Sequence, residues 1–202
     1  MKKVLFLMAV LLAGMATAYP QMKMQFVEVQ LGQSNMLQGN GYSLFDKAVG
    51  DNVAFGESIH LGWGKDVSRS IGAYLGTNVV SMPNYEEVAA AFSLGFEVRS
   101  YLEVNSSLRC YSAMTLGGVC VANGYKLTGT EERETRTRWG VAAEYVAGAE
   151  MSFGEHLYLG ASLHFSANLL FSSSYEPTAT MPDKGSNSII GNKIMLTAGY
   201  KL

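Results

Sequence analysis

The chain is poor in the residues that carry most site chemistry: among 202 residues there are two cysteines, four prolines and three histidines. Cys110 and Cys120 lie within one strand-like stretch. Ten residues of extended chain separate them by about 33 Å, so they build no disulfide framework. The histidines form no metal set either. His156 and His164 share a face but lie about 26 Å apart along a strand, and His60 has no visible partner. No cofactor is expected, because no glycine-rich phosphate loop occurs and the 22 glycines sit in strands and turns. Charge of one sign is also missing: 15 Lys+Arg face 17 Asp+Glu. Nothing there suggests a nucleic-acid partner.

Long apolar runs are absent except at the start. "MKKVLFLMAVLLAGMATA" has two lysines, an apolar run from Val4 to Ala13 and small residues ending Ala-Thr-Ala. The run is shorter than the ~20 residues of a membrane-spanning helix, so residues 1–18 read as a secretory signal peptide cleaved after Ala18. Residues 19–202 then form one domain. Lys2 and Lys3 leave with the leader, which takes the net charge from −2 to −4.

What the chain has in abundance is period-two alternation. In "AEMSFGEHLYLGASLHF", odd positions are apolar on both sides of Gly154-Glu155, which reads as a hairpin. Eight strands are predicted: Lys23–Gln33, Val53–Lys65, Arg69–Val80, Val88–Val104, Ser107–Val121, Thr137–Phe153, His156–Phe171 and Ile189–Leu202. The connections alternate in length. "DVS", "NSS" and "GE" are short, whereas Ser34–Asn52, Ser81–Glu87, Ala122–Arg136 and Ser172–Ser188 are longer. An all-β, eight-stranded antiparallel up-and-down transmembrane β-barrel has that asymmetry, with tight periplasmic turns and long outer loops.

Alternation alone does not say which face is wet, but the polar face does. A soluble barrel shows water a charged exterior. Here the less apolar positions are mostly small, such as Ala91, Ser93 and Gly95, or Gly140, Ala142 and Gly148. Small residues with a few charges suit the tight lumen of eight strands. The opposite face, with Phe92, Phe96, Leu159, Leu163, Phe165, Leu196 and Tyr200, suits hydrocarbon. Strand one favours neither parity strongly, and Glu57 interrupts the outward row of strand two.

This pattern resembles the small eight-stranded outer-membrane β-barrel family of Gram-negative bacteria, the OmpA/OmpX-like type. The likeness is most specific in the terminal strand "KIMLTAGYKL". In that family the last strand is read by the barrel-assembly machinery and usually ends in Phe; here the last residue is Leu202, with Tyr200 on the same face. The resemblance implies a bacterial outer-membrane location, a membrane scaffold or a loop-display or adhesion platform, and no enzymatic activity.

Parity turns Glu97, Arg99, Arg109, Glu144, Glu150, His164 and Lys193 inward, together with His60, Lys201, His156, Tyr158 and Ser166. Buried charges must be paired, so the expectation is an interior network that plugs the barrel, with a narrow pore as the sharper alternative. Wide channels need ~16 strands. In "GTEERETRTR", Arg133, Arg136 and Arg138 stand as outer-loop candidates for lipopolysaccharide phosphates, through forked hydrogen bonds. Host or cell-surface ligands are further loop partners.

Two other functions are weighed. His164 and Ser166 in "LHFSAN", with Glu176, resemble the lipid A deacylase family, where a His-x-Ser supplies base and nucleophile. That family follows its Ser with Asn-Ala, where this chain has Ala167-Asn168, and its pair faces lipid rather than the lumen. A secreted lipocalin-like barrel would carry a helix after its last strand, whereas this chain ends in a strand-like run.

Overall fold

The computed structural model describes residues 22–38, 53–66, 68–82, 87–126, 133–173 and 188–202; the expected signal peptide, residues 1–18, lies outside these. Eight strands run β1 (Lys23–Gln38), β2 (Val53–Asp66), β3 (Arg69–Met82), β4 (Glu87–Glu103), β5 (Leu108–Lys126), β6 (Arg133–Phe153), β7 (Leu157–Ser173) and β8 (Ser188–Lys201). Each is antiparallel to the next, and β8 closes on β1 from Phe26↔Lys201 to Gln38↔Ile189. Closure leaves no sheet edge along the wall.

Short connections at 67–68, 104–107 and 154–156 share one end of the barrel with the two ends of the described chain. Local chemistry makes these turns. Gly154 sits at φ 73°, a left-handed conformation that side chains disfavour. Asn105 Oδ1 accepts from the Ser107 and Leu108 amides at 2.9 Å, an Asx-type turn. The strand ends flanking 39–52, 83–86, 127–132 and 174–187 all lie at the opposite end; three of these connections are longer, while 83–86, at four residues, only equals 104–107.

The strands outrun the sequence expectation at that far end. β5 continues to Lys126 and β6 begins at Arg133, so Arg133, Arg136 and Arg138 lie on a strand and not in a loop. Ladder pairing supplies the reason: Val121↔Arg138 through Lys126↔Arg133 extend the hairpin beyond its apolar alternation. The β6–β7 ladder starts only at Arg138↔Ser173, with a register shift at Trp139/Gly140. Outside that point β6 is paired on one side only, with β5, which itself keeps β4 as far as Val88↔Gly124.

Orientation follows the predicted parity. Phe92, Phe96, Val98, Leu159, Leu163, Phe165, Ile194, Leu196 and Tyr200 stand outward, 39% to 68% exposed. Glu97, Arg99, Glu150 and His164 are at most 2% exposed inside. A soluble ligand-binding barrel needs the reverse. β1 resolves as Phe26, Glu28, Gln30 and Ser34 inward, with Val29 and Leu31 outward. Glu57 points out without any bulge beside it.

One expectation needs correction. His156 does not face the lumen: it lies exposed in the 154–156 turn, stacked on Tyr200 at 5.1 Å, with Nδ1 3.0 Å from the Lys201 carbonyl oxygen. Small residues line the lumen as expected at Ala91, Gly95, Gly140, Ala142, Ser162 and Ser166, and aromatic rings join them, of which the sequence places only Tyr158 inward. Phe26, Tyr74, Tyr111 and Tyr158 fill the lumen near the end that holds the short turns. Glycines opposite make that possible: a Cβ on Gly62, Gly148 or Gly199 would run into the rings of Phe26, Tyr111 and Tyr158 respectively.

Candidate functional site in the barrel lumen

Cross-strand partners share a face, so the ladders bring together inward residues distant in sequence. Glu28 lies opposite His60, Arg109 opposite Glu150, Glu144 opposite Ser166 and His164 opposite Lys193. All seven expected lumen residues point inward; five of them join two networks, and Arg109 and Glu150 pair with each other.

The larger network centres on Arg99. Its Nη1 and Nη2 donate to Glu28 at 3.0 and 2.6 Å, and its Nε donates to Glu97 at 3.0 Å. Glu28 also accepts from Gln30 at 2.8 Å and from the Tyr158 hydroxyl at 2.7 Å. Four donors therefore saturate one buried carboxylate, the condition under which burying it is tolerable. The guanidinium lies over the rings of Phe26 at 4.7 Å and Tyr111 at 4.4 Å. Glu97 turns its other oxygen to His60 Nδ1 at 3.1 Å, and His60 Nε2 meets Ser58 Oγ at 2.9 Å. Nearer the rim, Arg109 pairs with Glu150 at 2.5 Å and lies 4.0 Å over the Tyr101 ring.

The second network repeats that order of groups. Glu144 meets His164 Nδ1 at 2.5 Å and Lys193 Nζ at 2.7 Å, and His164 Nε2 meets Ser162 Oγ at 2.8 Å. Two Ser-x-His segments, Ser58-Ile59-His60 and Ser162-Leu163-His164, thus each place a hydroxyl and a carboxylate on opposite nitrogens of one imidazole. The strand repeat of two makes this geometry, because it sets Ser and His on one face.

That arrangement is the order of a hydrolase triad, but not the one read from "HFS". His164 spends its nitrogens on Ser162 and Glu144, not on Ser166; Glu176 lies outside the described residues. The adjoining cavity, lined by Tyr74, Asn78, Ser93, Glu144, Ser166 and Lys193 among others, measures about 20 Å³, room for about one water. Among the described residues no group of three His, Cys, Asp or Glu side chains is placed to hold a metal ion.

Sequence reading missed Glu28, the acceptor on which the larger network converges. "VEVQL" held the signal, since Glu28 and Gln30 alternate with Val27, Val29 and Leu31. Of the outer candidates, Arg138 is partly buried at a position paired with inward Val121, and the side chains of Arg133 and Arg136 lie outside the described residues.

No protein-family model matches the chain, and no curated protein matches it by sequence. Solved structures do. Neisserial surface protein A superposes with a TM-score of 0.63 at 10% identity, covering 90% of this chain and 97% of its own. Ail, the attachment invasion locus protein of Yersinia pestis, in complex with the heparin analogue sucrose octasulfate, gives 0.55 at 14% identity, covering 89% and 99%. At such identities the likeness is one of fold: the chain is built as these small eight-stranded barrels are.

Proposed function

We propose that the protein is an integral outer-membrane β-barrel of a Gram-negative bacterium, exported by its signal peptide. Its short turns lie in the periplasm, and its longer loops display binding or adhesion determinants. One observation carries this reading: bulky apolar residues ring the outside while ion pairs fill the inside. Hydrocarbon accepts that outer surface, and closure satisfies every ladder within the wall. The Arg99 and Glu144 networks act as a plug, so the barrel is a scaffold and not a diffusion pore. A cavity with room for about one water also argues against a hydrolase in the lumen.

Outer-membrane lipid, lipopolysaccharide and, during insertion, the barrel-assembly machinery are the partners this reading assigns. Host or cell-surface ligands bind through the loops, with Arg133, Arg136 and Arg138 at their base as anion contacts. The heparin analogue in the Ail complex shows that a barrel of this fold can hold a polyanion, which supports that assignment.

Fractionation tests it. The protein should appear in the outer membrane and shift on heating in a gel; recovery in a periplasmic wash would overturn the reading. A form lacking the outer loops should insert normally yet lose binding to lipopolysaccharide or host-cell surfaces. An altered lipid A profile on deleting the protein, restored by wild type but not by Ser166→Ala, would favour the deacylase instead.

A further inference from the structure

The Glu144 network borders a cavity of about 20 Å³, lined by Tyr74, Asn78, Ser93, Glu144, Ser166 and Lys193 among others. Asn78 stands on β3 and Ser166 on β7, on opposite sides of a ring of eight strands, so the cavity lies between facing walls of the lumen. Both residues are buried, at 5% and 6% exposure. Yet Asn78 Oδ1 and Ser166 Oγ have no hydrogen-bond partner among the described residues. Buried oxygens left unpaired are costly, and native proteins satisfy nearly all of them.

The other lining groups have capacity to spare. Lys193 Nζ donates to Glu144 Oε2 at 2.7 Å, one bond where an ammonium can give three. Ser93 Oγ reaches the Gly76 carbonyl oxygen only at 3.4 Å. Donors and acceptors therefore converge on the same small space.

We propose that one water molecule is a built-in part of the plug at this point, held between Asn78 on one wall and Ser166, Glu144 and Lys193 on the other. Size and charge select this occupant. A polar space of that volume holds about one water and nothing larger. Glu144 and Lys193 neutralise each other, so the site offers no net charge to an ion. A sodium or ammonium ion would sit against the Lys193 ammonium, and a chloride against the Glu144 carboxylate. Water donates to the oxygens of Asn78 and Glu144, accepts from Lys193, and takes either role toward the Ser166 hydroxyl.

Tyr74 lines the cavity too, and its ring stacks on His60 at 5.7 Å. The water thus sits where the Glu144 network approaches the Arg99 network, which His60 joins through Glu97. The plug is then part protein and part solvent. This site depends on lumen geometry alone, so its failure would leave the outer-membrane reading untouched.

Oxygen-17 magnetic relaxation dispersion tests this, because it counts waters held inside a folded protein in detergent far longer than those on its surface. Ser166→Val fills the space with a methyl group and should remove about one long-lived water from the wild-type count. Asn78→Leu fills the same space from the facing wall and should remove the same number. Ser112→Val, on the exposed outer face of β5, should remove none. The heat-dependent gel shift confirms that each variant is folded. Counts equal in wild type, Ser166→Val and Asn78→Leu would overturn the proposal, and so would an equal loss in Ser112→Val. Chloride-35 line broadening present in wild type and abolished by Ser166→Val would also overturn it, since the occupant would then be an anion.

Discussion

Arg99 on β4 grips Glu28 on β1 with two hydrogen bonds, of 3.0 and 2.6 Å, across the inside of the barrel, and both side chains are fully buried. Removing one partner leaves an uncompensated charge. Arg99→Met should therefore destabilise the folded barrel by about 3–5 kcal/mol, read as a lower midpoint in urea unfolding from lipid vesicles. The double variant Arg99→Met with Glu28→Leu should recover part of that loss. A double variant as unstable as the single one would show that Arg99 matters for shape and not for charge.

Gly199 faces the Tyr158 ring so closely that a Cβ there would overlap it. Gly199→Ala should cost about 1–3 kcal/mol by overpacking, and should weaken the Tyr158 bond to Glu28 by moving the ring. Tyrosine fluorescence together with unfolding midpoints checks both effects. An unchanged midpoint would mean that the ring has another place to go.

Leu159 on β7 stands outward at 55% exposure. If it meets hydrocarbon, Leu159→Arg should cost about 2–4 kcal/mol in a bilayer. Glu155→Arg, in the neighbouring exposed turn, should stay within about 0.5 kcal/mol of wild type. Equal costs at the two positions would contradict the proposed membrane belt.

Cys110 and Cys120 are free thiols, and both alternate outward on β5 with the inward Tyr111, Ala113, Val119 and Val121. In outer-membrane vesicles they should react with a lipid-soluble maleimide and resist a charged, membrane-impermeant one. Unfolding should make them equally reactive to both. Fast labelling of Cys120 by the charged reagent in intact vesicles would place that end of β5 in water.

Much of the fold was legible because the two faces differ in chemistry at nearly every step. β4 reads Ala91, Ser93, Gly95, Glu97 and Arg99 against Phe92, Leu94, Phe96 and Val98, and every one of these falls where parity puts it. β1 did not read so cleanly. It puts an aromatic, Phe26, on the polar face, and a register shift between Met24 and Phe26 breaks the alternation at its start. Glu28 was missed with it.

His156 failed for another reason: counting by twos was carried through a turn, where parity has no meaning. Inward direction was readable for Arg99, Glu144 and Lys193, but their partners were not. Pairing across the lumen depends on register and side-chain reach, which no local pattern encodes.

The extension of β6 to Arg133 bears on how force enters the molecule. β5 and β6 span nineteen and twenty-one residues against fourteen for β2, differences of about 17 and about 23 Å of strand at ~3.3 Å per residue. Beyond Arg138↔Ser173 β6 has lost β7, but β5 keeps β4 as far as Val88↔Gly124, so only Tyr125↔Glu134 and Lys126↔Arg133 form a two-stranded tip, which has little stiffness of its own. A pull on that tip is a load on a lever, and the last rung of the β4–β5 ladder, Val88↔Gly124, is the fulcrum where the wall begins to resist.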